Sequence, residues 1–269
     1  MTFEKLFDQY MKSPGFRNLS VRSKQLYIYC GKQLSDYFGN KDVDKIKRST
    51  LLALQEERQT RPAHANLLIR VSSVVFAYAV NMDIIPFNPA SRLSKLKVGS
   101  HIKWSPEEVK KVIEFGDRKI STAVALAWYT GQRESDVLNM RWCDYDGQYI
   151  SMIQKKTGLE MAIKVHPDLG EYLNKIRGPD NEYIVSGQNR MSSSAFRGRL
   201  RRRTDKLHID KVFHGIRKGV ASALAENGRS VNEIAAILGH KTIRMAAYYA
   251  EQASNKTLTE NAVDNLPSL

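Results

Sequence analysis

Four short stretches in the second half of the chain concentrate side chains suited to phosphate chemistry. In T-G-Q-R-E-S-D (130–136) a glycine ends one helix and Arg133 stands at the mouth of the next. That sets a guanidinium beside the open N–H groups of a helix start, an anion site in both charge and donors. In K-K-T-G (155–158) a turn projects Lys155 and Lys156 from a hairpin tip. In H-G-I-R (214–217) the i, i+3 spacing puts an imidazole and a guanidinium on one side of a helix. In L-G-H (238–240) a glycine stops a helix and exposes His240, and Tyr249 follows nine residues later. Each stretch alone has a plainer reading: Arg133 pairs with a nearby carboxylate, and lysines at hairpin tips commonly serve solubility. Together they supply cations, imidazoles and a phenol, the group types that phosphate chemistry uses.

The elements that must position these groups are mostly helices. Phe3, Leu6, Phe7, Tyr10 and Met11 mark one helical face. A second helix opens at Ser20 as N-cap and closes at Gly39, a short third follows Ser49, and a fourth covers about 63–82. Residues 1–90 therefore read as a four-helix bundle, ended by Pro86 and Pro89. Residues 91–103 read as a basic linker carrying Arg92, Lys95, Lys97 and Lys103. Ser105-Pro106-Glu107-Glu108 opens the second domain, 104–269, with an N-cap, a proline at the first helical position and a capping-box glutamate. Buried helices are expected over 120–130 and 134–140, and a β-hairpin over 148–165 with its turn at Gly158. Further helices are expected over 193–206, 213–227 and 231–238, the last behind the capping box Ser230 to Glu233. The fold class is mainly α with one small β-hairpin, an α+β arrangement.

Charge names the partner. The 269 residues hold 42 Lys+Arg against 28 Asp+Glu, a net +14, and a polyanion is the natural ligand of such a field. Both halves share it: residues 1–99 carry 16 basic and 8 acidic side chains. From 190 to 218 there are ten basic residues against Asp205 and Asp210. Arg197, Arg199, Arg201, Arg202, Arg203 and Lys218 in that run, with the linker cations, are the expected contacts to duplex phosphates. At 42% hydrophobic and 26% charged the composition excludes wholesale disorder. The most apolar run, 71–80, holds two serines and falls far short of the ~20 residues that cross a bilayer. Cys30 and Cys143 lack metal-ligand spacing and read as reduced, semi-buried thiols of a cytoplasmic protein. Trp104, Trp128, Trp142, Phe76, Tyr78 and Phe87 read as core, and His64, His101, His166 and His208 as surface or cap residues.

The order Arg133, K-K-T-G, His214-x-x-Arg217, Leu238-Gly239-His240 and Tyr249 resembles the tyrosine recombinase, or phage integrase, family. The N-terminal half is similar to the family's core-DNA-binding domain and ends in a similar N-P-A (88–90). The resemblance implies a site-specific recombinase that cleaves and rejoins DNA through a covalent 3′-phosphotyrosine. Tyr249 is then the nucleophile, with Tyr248 the neighbouring alternative. Arg133 and Arg217 stabilise the charge that grows on the phosphate oxygens. The hairpin lysine, assigned to Lys156 with Lys155 as the alternative, protonates the leaving 5′-oxygen. His214 exchanges protons or holds the phosphate, His240 bonds the phosphate or orients its neighbours, and Asp136 is expected to hydrogen-bond His214. No metal or cofactor is expected, because the arginines and lysine supply the positive charge. One departure is Gly219, where the family often has threonine.

The implied partners are double-stranded DNA and a homotetramer formed on it by exchange of a C-terminal tail helix (250–266), with a DNA-bending accessory protein as a further partner and no membrane. The implied location is the cytoplasm of a bacterial or phage-infected cell, at the nucleoid. Fuller members of the family carry an additional N-terminal arm-binding domain, whereas this chain begins at the bundle; it is either a two-domain recombinase or a trimmed one. Two other readings remain open at this level: a type IB topoisomerase-like cleavage, and a DNA-binding regulator without catalysis.

Overall fold

A computed structural model describes residues 1–178 and 181–250, together with Thr259 and Val263; Tyr249 and Ala250 are described by backbone alone. The tail helix expected over 250–266 lies outside the described residues, apart from Ala250, Thr259 and Val263. The chain divides into two units, Met1–Ser100 and His101–Leu269.

The first unit is helical. It contains α1 (Phe3–Met11), the single turn α2 (Pro14–Arg17), α3 (Val21–Phe38), α4 (Arg48–Glu57) and α5 (Pro62–Asn81). Caps set the ends: Thr2, Ser13 and Ser20 each accept a backbone N–H of the first turn, and Gly39 leaves α3 at φ +57°. Phe3, Phe38 and Phe76 meet at the centre of the bundle with ring centroids 5.0 to 6.3 Å apart. Among the described residues, α5 alone has the length and hydropathy to span a bilayer. Here it is the bundle's core helix, with Leu68, Val71, Val75, Phe76 and Ala79 at 0 or 1% exposure. Phe87, expected in the core, is 68% exposed; it lies beyond α5 between two prolines, where no helical face can turn it inward.

The irregular run after α5 is held to this unit by side chains. Arg48 donates to the carbonyls of Ser91 (2.7 Å) and Arg92 (3.2 Å), Gln55 to that of Ser94, and the Asn66 carboxamide both donates to and accepts from the backbone of Leu96. Arg92, Lys95 and Lys97 are left exposed.

The second unit packs α6 (Pro106–Phe115), α7 (Arg118–Thr130), α8 (Glu134–Val137), α9 (Pro167–Ile176), α10 (Ser193–Lys206), α11 (His214–Glu226), α12 (Val231–Leu238) and α13 (Ile243–Ala250) beside one antiparallel hairpin. The hairpin pairs β1 (Tyr149–Ile153) with β2 (Glu160–Lys164) in the register Ile150 to Ile163. Both capping boxes, Ser105 with Glu108 and Ser230 with Glu233, are formed. The helix expected over 134–140 is one turn only. After Val137 the chain bends into extended backbone, where the Met140 carbonyl accepts from Ile184 and Arg141 bridges to Tyr183.

The core runs through α7 and α11. Residues 102–104 lie directly on α11: the Trp104 backbone N–H donates to Gly215, and the indole Nε1 donates to the Val212 carbonyl at 2.9 Å. Gly215 and Gly219 make this possible, since a Cβ on the first would strike the Ile102 carbonyl and on the second the Trp104 carbonyl. Gly219, unusual for the resembled family, is therefore a packing requirement of this chain. Cys30 is buried, whereas Cys143 is exposed rather than semi-buried; both are free thiols.

Candidate active site

The site begins where α7 stops. Gly131 takes a left-handed conformation (φ +66°, ψ 12°) and a Cβ there would lie 2.6 Å from Leu238 Cδ2, so glycine ends the helix and admits the end of α12 in the same place. Two residues on, Arg133 is the N-cap of α8, with a side chain only 14% exposed. Its Nη1 donates to Gln154 Oε1 at 2.8 Å and lies 4.0 Å from Asp136 Oδ2. Asp136 is fully buried, and its Oδ1 accepts the Lys155 backbone N–H at 3.0 Å. This corrects the expectation for Asp136. Among the described residues it does not bond His214; the single turn of α8 aims its carboxylate at the start of the hairpin tip, where it joins Arg133 to the lysine-bearing loop.

Beyond β1 the tip is closed by Gln154 and Gly158. The Gly158 N–H donates to the Gln154 carbonyl at 2.8 Å, and Gly158 sits at φ +66°. Lys155 and Lys156 project from this turn and are both exposed. Partial burial and then the charge of Arg190 pull the Lys155 amine below the ordinary lysine value, with Asp136 acting in the opposite sense.

Arg217 and His214 come from the first turn of α11. Arg217 is 2% exposed and donates through Nη1 to the Gly131 carbonyl at 2.8 Å. His214 is solvent-accessible, yet its pKa is lowered to about 4 by the protein packed round it, then by His101, Arg217, Arg133 and Lys218. His101, read from sequence as a surface residue, meets it edge to face with centroids 5.6 Å apart. His240 follows Gly239, which ends α12 at φ +63°. Burial, then Arg217 and Arg133, lower its pKa to about 4 as well. Both imidazoles thus feel both guanidiniums, and segments more than 100 residues apart in the chain meet in one electropositive spot.

Two glutamines that sequence reasoning passed over tie this spot together. Gln154, with no exposure, donates to Gln132 Oε1 (2.7 Å) and the Leu238 carbonyl (3.0 Å), and accepts from Arg133 and from the Thr157 hydroxyl (2.7 Å). Gln132, 1% exposed, donates to the carbonyls of Thr130 and Ile237. The only signal in the sequence is adjacency: each stands one residue before a cation already singled out.

Tyr249 lies on α13, which packs on α11 and α12; its side chain is outside the described residues. Tyr248 is 48% exposed and borders a surface hollow with Thr242, Arg244 and Met245.

The basic residues expected on DNA separate into kinds. Arg197 is held by both oxygens of Glu134 (3.1 and 2.9 Å), Arg199 lies 4.0 Å from Asp117, and Arg201 pairs with Asp205 and Asp210. Lys103 donates to Ser222 and Glu226. Arg202, Arg203 and neighbouring Lys206 form no ion pair among the described residues, and with Arg199 they line a shallow basic hollow. Lys218, expected on the phosphate-facing surface, is instead 8% exposed because α11 is buried on all sides at that turn. A cleft of about 420 Å³ borders His214, with His101, Arg197, Arg201 and Lys211 on its walls.

Known proteins share this architecture. The phage integrase family model matches residues 104–256. A probable integrase/recombinase protein of Methanocaldococcus jannaschii is 28% identical over 162 residues, covering 53% of this chain and 49% of that protein, so the chain spans about half the length of that relative. The integrase of Enterobacteria phage 434 is 25% identical over 93% of this chain and 76% of its own. A solved lambda integrase tetramer bound to a Holliday junction superposes with a TM-score of 0.82 at 22% identity, over 94% of this chain and 79% of that one. With the family model covering more than half of its length, the chain belongs to the phage integrase family of tyrosine recombinases.

Proposed function

We propose that this protein is a site-specific DNA recombinase of the integrase type, which cleaves and rejoins DNA strands through a covalent 3′-phosphotyrosine. The observation that carries the reading is the meeting of Arg133, Arg217, His214 and His240 in one place, with a lysine-bearing tip tethered to the first of them.

Exchange of strands requires a phosphodiester to be broken without loss of its bond energy, and an enzyme-linked phosphodiester conserves it. The Tyr249 oxygen forms a bond to phosphorus as the bond to the 5′-oxygen breaks, and Lys156, or Lys155 beside it, hands that oxygen its proton. His214 takes the phenol's proton. Charge gathers on the non-bridging oxygens as phosphorus becomes five-coordinate, and two pre-set guanidiniums are donors of the right geometry and charge. His214 and His240 are neutral near pH 7, the state in which an imidazole both accepts and donates a hydrogen bond.

Duplex DNA is the substrate. Arg202, Arg203, Arg199 and Lys206 in the second unit, and Arg92, Lys95 and Lys97 at the end of the first, supply phosphate contacts. The working form is a homotetramer on DNA, by analogy with the lambda integrase tetramer bound to a Holliday junction. It is joined through the C-terminal segment and helped by a DNA-bending protein, and the work is done at the nucleoid, in the cytoplasm.

The test is a nicked duplex carrying the core site recovered by selection from random duplexes. Wild-type protein and Tyr248→Phe trap a covalent adduct, and Tyr249→Phe does not. Adduct from Tyr249→Phe but not from Tyr248→Phe moves the nucleophile by one residue. No adduct from wild type leaves a DNA-binding regulator, and relaxation of supercoils without strand exchange marks the topoisomerase-like reading.

A further inference from the structure

We propose that Gln154 is a positioning residue for strand cleavage: a single carboxamide that holds the Arg133 guanidinium and the lysine-bearing hairpin tip in one register. The inference rests on the proposed recombinase chemistry and adds to it a residue that does not touch the DNA.

A primary amide has two acceptor sites and two N–H donors. All four are used here, and by different segments. Oε1 accepts from Arg133 Nη1 at 2.8 Å and from Thr157 Oγ1 at 2.7 Å, while Nε2 donates to Gln132 Oε1 at 2.7 Å and to the Leu238 carbonyl at 3.0 Å. The orientation of the amide is therefore fixed. Turned over, it would set an NH2 against the guanidinium and an oxygen against two acceptors. Gln132 cannot yield to such a flip, because its own NH2 is spent on the carbonyls of Thr130 and Ile237 at 2.9 and 2.8 Å. Gly239 completes the seat, since any Cβ there would strike the Gln154 amide nitrogen.

The consequence is mechanical. Arg133 hangs from a one-turn helix and is anchored by Gln154 and the more distant Asp136. The tip that carries Lys155 and Lys156 is held at one end by Asp136 and at the other by Thr157 on the same Gln154 oxygen. The Leu238 carbonyl, two residues before His240, is the third anchor. A buried position that needed only volume would take an apolar side chain at no cost in unpaired groups. One that uses every valence on the phosphate-binding arginine, the lysine loop and the histidine turn sets the geometry of all three.

The experiment uses the full chain and the nicked duplex of the selected site, with cleavage followed in single turnover at saturating DNA. Gln154→Met keeps length and burial but loses all four bonds. The expected result is a cleavage rate about 10²-fold lower, the size of effect that an ångström of misplacement brings, with the dissociation constant for DNA within about threefold of wild type. Gln154→Glu preserves shape and the acceptors facing Arg133 and Thr157 but sets an oxygen against Gln132 and Leu238. It is expected to be slow at pH 7.5 and to regain rate relative to wild type toward pH 5.5, as a protonated carboxyl restores a donor. Thr157→Val frees only the tip. Its smaller defect is expected to vanish on a 5′-bridging phosphorothiolate, whose sulfur leaves without needing a proton. Wild-type cleavage rates in Gln154→Met, or losses of rate, affinity and melting temperature in step together with no pH recovery in Gln154→Glu, overturn the positioning role. If wild-type protein itself forms no adduct, the recombinase reading falls and this inference with it.

Discussion

The guanidinium of Arg217, 2% exposed, donates across 2.8 Å to the carbonyl of Gly131, the residue that ends α7. One hydrogen bond thereby joins two motifs 86 residues apart. The carbonyls at a helix C-terminus carry the negative end of its dipole, so this contact both orients the cation and offsets part of the cost of burying it.

Arg217→Lys is expected to keep the charge and lose the site. An ammonium lacks the planar fork that lets one group hold the Gly131 carbonyl and a phosphate together. Adduct formation on the nicked substrate should slow by about 10²–10³-fold, as for the loss of one fixed donor to a developing oxyanion, while DNA affinity changes little. A rate within tenfold of wild type would mean that Arg217 is not a transition-state donor.

Gly219→Ala is expected to destabilise the second unit by about 1–3 kcal/mol, the usual cost of overpacking. In an open helix the same change gains up to about 1 kcal/mol. The sign reverses here because a Cβ would strike the Trp104 carbonyl and lie 3.1 Å from the Trp128 ring. Urea unfolding of the intact chain reads this directly, and an unchanged or higher midpoint refutes the packing account.

Acid should destabilise the free protein through its two active-site imidazoles. His214 and His240 both have folded pKa values near 4, below the unfolded value near 6.5. Between those limits the unfolded chain binds more protons, so stability is complete above about pH 6.5 and falls as the pH drops through 4. Melting temperatures taken from pH 7 to 4 should fall less steeply in the double variant His214→Asn, His240→Asn. Parallel curves for the variant and wild type would contradict the lowered folded pKa values of these two imidazoles.

Salt dependence should sort the basic helix α10. Each phosphate neutralised contributes about −0.9 to the log–log slope of affinity against salt. Arg202→Ala and Arg203→Ala are expected to flatten that slope by close to this amount. Arg201→Ala, whose guanidinium already answers Asp205 and Asp210, should change it less. Equal effects from all three would show that these ion pairs open when DNA binds.

Much of this protein is written in local chemistry. The capping boxes at Ser105 and Ser230, the helix stops at Gly39, Gly131 and Gly239 and the turn at Gly158 stand where the residue types place them, because a cap or a left-handed glycine is decided within four or five residues of chain. Alternation and helical spacing likewise separate the hairpin from the helices round it. The cations and histidines worth attention are legible too, since their types and order survive without any knowledge of contact.

What the chain alone determined, then, is an inventory: which side chains are available for phosphate chemistry and which local elements carry them. Tertiary structure decided their employment. It turned Asp136 away from His214 toward Lys155, set His101 against His214, buried Lys218, left Phe87 in solvent and made Gln154 the meeting point of three motifs. Those outcomes depend on which distant backbone carbonyl or ring happens to lie across a few ångströms of space. Hydrogen bonding and burial are settled by such through-space neighbours, and no spacing along one segment encodes them.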